Sequence, residues 1–114
     1  MVELPSGTVT FLFTDVEGST RLWEEHPDAM RGALARHDDV VRAAIEGHGG
    51  QVVKTTGDGF HAAFGTADTG VIAAVAAQRS LTDETWALPQ PLKVRMGLHT
   101  GAASMRGATT SEPR

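Results

Sequence analysis

In TVTFLFT, residues 8 to 14, Val9, Phe11 and Phe13 alternate with Thr10, Leu12 and Thr14. Side chains of a strand point to opposite faces in turn, so these β-branched and aromatic residues predict a strand partly covered on both faces. A Gly18-Ser19-Thr20 turn follows, and RLWEEH has room for a short helical turn before Pro27, a residue suited to the first position of a helix. The period then changes. From 27 to 46, Met30, Leu34, His37, Val41, Ala44 and Ile45 recur at steps of three and four, opposite Asp28, Arg31, Asp38 and Glu46, which predicts an amphipathic helix. Gly47, Gly49 and Gly50 stop it, because glycine reaches the positive φ of a helix end without a Cβ clash.

QVVKTT (51 to 56) and FHAAF (60 to 64) flank Gly57-Asp58-Gly59, and an Asp-Gly pair between two β-prone runs predicts a hairpin with a primed turn and Asp58 at its tip. Thr66 caps a further helix over 67–81, whose Val71, Ile72, Val75 and Ala76 offer an apolar face to a sheet. In LKVRMGLH, 92 to 99, Leu92, Val94, Met96 and Leu98 alternate with Lys93, Arg95, Gly97 and His99, the pattern of a half-buried strand. AASMRGATTSEPR, 102 to 114, has no apolar period and reads as a disordered tail after a domain over 1–101. The order is strand, helix, strand, strand, helix, strand. That is the α+β, ferredoxin-like βαββαβ arrangement, an antiparallel sheet with both helices on one face. Its first strand is central and ends near the hairpin joining the second and third, which makes Asp15 and Asp58 expected neighbours.

At 114 residues the chain suits one core. Its net charge of −4 carries no run of like sign, which argues against a nucleic-acid footprint or a polybasic membrane patch, so a phosphate-bearing partner is expected to be small. The absence of cysteine excludes thiol catalysis and thiolate zinc sites, and makes the cytoplasm the default location. No stretch reads as a signal peptide or a membrane span.

Two converging carboxylates repel unless a proton or cation lies between them, and beside a phosphate-friendly loop the natural cation is Mg2+ or Mn2+. The segment after Asp15 supplies such a loop: Gly18 admits a close ligand, and the amides of Glu17, Gly18, Ser19 and Thr20 can point at an anion. Taken singly, Asp15 is an ordinary turn acid and Gly-Asp-Gly an ordinary turn. Lys54 alone is a solvated strand lysine, His37 a core histidine, and Trp23 and Trp86 packing anchors. No histidine shows metal-ligand spacing.

In order, FTDVEGST (13 to 20), VVKTTGDGF (52 to 60) and KVRMGLHTG (93 to 101) resemble the class III nucleotidyl cyclases, the adenylate and guanylate cyclase catalytic domain, in its bacterial variety. The resemblance covers roughly residues 6 to 101 and implies the same βαββαβ core. It also implies that Asp15 and Asp58 bind two divalent metals with the Val16 carbonyl, that residues 17 to 20 hold a triphosphate, and that Lys54 reads the purine. The reaction implied is ATP to cyclic AMP and pyrophosphate, at a site shared across a dimer. The family's transition-state asparagine and arginine lie beyond the strand corresponding to 92–99, and this chain has no asparagine. The resemblance therefore implies a partial domain that supplies the metal half-site, as a homodimer or beside a complete cyclase chain. The other readings are a catalytically silent interaction module and, more remotely, a diguanylate cyclase or polymerase-like palm, whose Gly-Gly-Asp/Glu-Glu-Phe hairpin is absent.

Overall fold

A computed structural model describes residues 7–103. The elements are β1 (Gly7–Val16), α1 (Ser19–Glu25), α2 (Pro27–Gly47), β2 (Gln51–Thr55), β3 (Phe60–Phe64), α3 (Ala67–Asp83) and β4 (Val94–Ala103). The four strands form one sheet in the order β2-β3-β1-β4, with every neighbouring pair antiparallel. This is the expected ferredoxin-like core with β1 central. No helix among the described residues is long and apolar enough to cross a membrane.

The alternation in β1 divides its residues between two clusters. Leu12 and Val16 join Phe60, Ala62 and Phe64 of β3, Met30, Val41 and Ile45 of α2, and Ala73 and Leu81 of α3 in the main core. The opposite face carries a smaller cluster of strand residues, Val9, Phe11 and Ala63, with Phe13 and Val53 against it. His37 sits fully buried on α2 among the apolar residues, as its position in the helical period implies. α2 ends at Gly47, and Gly49 takes a φ of 82°. Gly50 then passes so close to the Phe64 ring that a Cβ would collide with it.

Four expectations need correction. First, Ser19 and Thr20 do not stay in a turn: they open α1, which takes in Arg21 to Glu25 as the expected helical turn, with Gly18 at φ 69° as its N-cap. Second, β4 runs to Ala103, because β1 pairs with it from Gly7↔Ala103 to Val16↔Val94; the first two residues of the expected tail therefore belong to the strand, and 104–114 lie outside the described residues. Third, α3 faces the sheet with Gly70, Ala73, Ala77 and Leu81, leaving Val71, Ile72 and Val75 exposed. The reason is distance: a Cβ on Gly70 would lie 3.1 Å from Thr10 Cγ2 and 3.3 Å from Leu98 Cδ2, so only small side chains let the helix settle there.

The fourth correction concerns the β2–β3 turn. A primed turn over 56–59 needs positive φ at Gly57, but among the described residues the glycines at positive φ are Gly7, Gly18 and Gly49. Gly59 serves a different purpose. Its Cα packs against the carbonyl oxygen of Thr14, where a Cβ would overlap backbone atoms. Next to it, the Phe60 N–H donates to Thr14 Oγ1 at 3.0 Å, and the Thr56 N–H closes the turn on the Gly59 carbonyl at 3.0 Å. The hairpin is thus fastened to β1 one residue before Asp15.

Gly59→Ala forces backbone apart at this junction and is expected to destabilise the fold by about 2 kcal/mol or more, the scale of an overpacked site that cannot relax. Urea denaturation checks this; a change within about 0.5 kcal/mol, the scale of a neutral surface substitution, contradicts it.

Candidate metal centre

Asp15 is the penultimate residue of β1, and Asp58 lies in the turn that docks on Thr14. Both line one open cavity of about 520 Å3, together with Phe13, Thr14, Thr56, His61 and Arg95. The structure therefore brings together the two carboxylates that the sequence pairs. Asp15 is half-exposed, and its carboxylate accepts two hydrogen bonds from Arg95, Nε to Oδ1 at 2.8 Å and Nη2 to Oδ2 at 3.0 Å. Arg95 reaches it because β4 pairs Arg95 directly opposite Asp15. That bidentate bond is the first cause holding the Arg95 guanidinium more firmly protonated than usual; the Asp15 charge follows, with smaller contributions from Glu17 and Asp58. A cation already sits on one of the acids.

His61 is the second unforeseen member. It stands opposite Phe13 on β1 and Lys54 on β2, with its ring edge-on to Phe13 at 4.7 Å between centroids. Its Nδ1 is buried and has no hydrogen-bond partner. Burial lowers its pKa from the ordinary 6.5, and the neighbouring Lys54 charge lowers it further.

The remaining predicted residues are divided among other places. Glu17 and Gly18 line a neighbouring cavity of about 480 Å3 with Arg21 and Lys93, while Ser19 and Thr20 open α1. The Val16 side chain is buried in the core, so only its backbone is available to a ligand. Lys54 is exposed on β2 and does not line the cavity of the two aspartates. Nothing in LKVRMGLH separates Arg95 from Lys93 without knowledge of the β1–β4 register, and His61 gives no signal beyond its place after the hairpin.

Among the described residues no three acids or histidines converge on a point. The donors at this centre are two carboxylates, a set that suits Mg2+, which keeps waters and binds through one or two carboxylates plus phosphate oxygens of a substrate. It does not suit a closed structural site.

The family model for the adenylate and guanylate cyclase catalytic domain matches residues 1–114. An adenylate cyclase of Lachancea kluyveri is 42% identical over 82 residues, 72% of this chain and 4% of that protein. An uncharacterized protein of Mycobacterium tuberculosis is 41% identical over 104 residues, 90% of this chain and 34% of that protein. The chain thus spans a minor part of these curated relatives. Among solved structures, a Trypanosoma brucei adenylate cyclase in its monomeric state superposes with a TM-score of 0.80 at 29% identity, over 89% of this chain and 59% of that one. The guanylate cyclase domain of RhGC from Catenaria anguillulae, in complex with GTP, shares the fold with a TM-score of 0.73 at 21% identity, over 84% and 57%.

A base whose pKa is depressed on folding binds its proton better when unfolded, so the stability tied to neutral His61 is present above pH 6.5 and lost as pH falls below it. The Tm of His61→Gln is expected to decline less than that of wild type between pH 6.5 and about pH 5. Parallel declines in thermal melts across that window contradict this placement of His61.

Proposed function

The chain belongs to the adenylate and guanylate cyclase catalytic domain family, and we propose that it acts in the cytoplasm as the metal-binding half of a nucleotide cyclase that converts ATP to cyclic AMP and pyrophosphate. The observation that carries this reading is the shared cavity of Asp15 and Asp58. In the reaction the ribose 3′-oxygen forms a bond to the α-phosphorus, the bond to the bridging oxygen of pyrophosphate breaks, and the hydroxyl proton is released. Two bound Mg2+ or Mn2+ ions would supply charge stabilisation for the attacking and leaving oxygens.

The chain's own residues have separable tasks in this reading. Asp15 and Asp58, with the Val16 carbonyl, hold the cations, and the backbone from Glu17 to Thr20 faces the triphosphate. Arg95 neutralises Asp15 while no cation is bound, and its exposure of 64% leaves it free to turn outward. Once the carboxylate is engaged elsewhere, the guanidinium is positioned to take a phosphate oxygen, for which its planar fork is well suited. Lys54 lies outside that cavity, so it is assigned to the purine of a second site in a dimer, where this chain's lysine meets another chain's metals. Adenine over guanine rests on Lys54.

Calorimetric titration with ATP tests this. ATP is expected to bind in Mg2+ or Mn2+, and binding is lost in Asp15→Ala. Arg95→Ala has opposite effects on two ligands: Mn2+ alone binds more tightly, while metal-ATP binds about tenfold more weakly, the scale of one charge-assisted hydrogen bond. Binding of ATP that ignores metal, or that survives Asp15→Ala unchanged, contradicts the half-site and favours a catalytically silent module.

A further inference from the structure

His61 lines the cavity of Asp15 and Asp58, and the cyclase reading gives it no task. Its surroundings do not depend on the edges of the sheet. β3 is an interior strand with β2 on one side and β1 on the other, and His61 stands between Lys54 and Phe13 in the register. The Phe13 ring meets the imidazole at 79° between planes and 4.7 Å between centroids, the edge-to-face arrangement that aromatic pairs prefer.

The two ring nitrogens face different surroundings. Nδ1 is enclosed and has no hydrogen-bond partner, whereas Nε2 is not so enclosed, which leaves Nε2 as the nitrogen that this half-buried ring can offer to a ligand. A neutral imidazole carries one proton, on one nitrogen or the other. On Nδ1 it would be a buried donor without an acceptor, a costly arrangement. On Nε2 it stands at the accessible edge, in a cavity whose two carboxylates only accept. The neutral ring therefore holds its proton on Nε2 and presents it to the cavity. Burial and the Lys54 charge both lower the pKa of His61 from 6.5, which keeps the ring in this neutral form at pH 7.

Arg95 is the charged donor of the same cavity, and its guanidinium suits charged phosphate oxygens. A neutral N–H suits a neutral oxygen, and the neutral oxygens next to the reacting phosphate are those of the ribose. The 3′-oxygen has to lose its proton in order to attack, and a donor bonded to it would oppose that loss. Its neighbour on the ring, the 2′-hydroxyl, is under no such demand and accepts as well as donates. We propose that His61 donates its Nε2–H to the ribose 2′-hydroxyl of the bound nucleotide and so selects ribonucleotides over 2′-deoxyribonucleotides. This inference rests on the cyclase reading and adds to it a residue that reads the sugar. Selection follows because a deoxy nucleotide leaves the donor unpaired in a cavity from which it has displaced water.

Calorimetric titration of the intact chain with ATP, 2′-deoxy-ATP and 3′-deoxy-ATP, each with Mn2+, tests the proposal. Wild type is expected to bind ATP about tenfold more tightly than 2′-deoxy-ATP, the scale of one hydrogen bond. His61→Phe keeps an aromatic ring against Phe13 and is expected to bind the two alike, while its preference between ATP and 3′-deoxy-ATP stays that of wild type. Nitrogen NMR of the wild-type imidazole is expected to show the Nε2–H tautomer, with a proton that exchanges slowly in the ATP complex and rapidly in the 2′-deoxy-ATP complex. Equal wild-type affinity for ATP and 2′-deoxy-ATP, with metal dependence intact, overturns this inference and leaves the half-site standing. So does a 2′-preference that survives in His61→Phe, or a proton found on Nδ1. Absence of metal-dependent ATP binding overturns both readings together. If His61→Phe loses its fold, the wild-type affinities and the imidazole spectrum decide.

Discussion

The approach of Gly59 to the Thr14 carbonyl is the contact on which the rest of the site depends. A hairpin tip is ordinarily free to swing, and a carboxylate carried there has no fixed neighbour. Here the missing side chain at Gly59 lets the turn lie against β1, and the Phe60 N–H fastens it to the Thr14 hydroxyl. Asp58 precedes that contact by one residue, and Asp15 follows it by one. Two acids distant in sequence are thereby held at one cavity by backbone packing, which is stiffer than any arrangement of surface side chains.

Such a pair is electrostatically unfavourable by itself, and the fold answers with Arg95. The β1–β4 register sets the guanidinium opposite Asp15, where it makes a bidentate bond. In the proposed half-site a metal ion would compete with this bond for the same oxygens. There the same geometry that neutralises the acid at rest ties cation binding to release of an arginine beside the loop proposed to face the triphosphate.

The elements were legible because their periods are strong. β1, α2 and the hairpin flanks follow from alternation and helical spacing, and the strand order follows from the βαββαβ succession. The pairing of Asp15 with Asp58 was legible for the same topological reason. What escaped sequence reasoning depends on contacts between elements. Val71, Ile72 and Val75 form the more hydrophobic stripe of α3, but steric clearance over Thr10 and Leu98 decides which stripe faces the sheet, and it selects Gly70 and the alanines. Arg95 and His61 were invisible because register, not residue type, delivers them to the cavity. Gly59 looked like a turn former and is instead a packing residue.

Anomalous diffraction from crystals grown with Mn2+ and a non-hydrolysable ATP analogue tests the central claim most directly. The account predicts a manganese peak coordinated by both Asp15 and Asp58, with Arg95 turned away from Asp15. A peak elsewhere, or nucleotide bound with Asp15 still paired to Arg95, would contradict it.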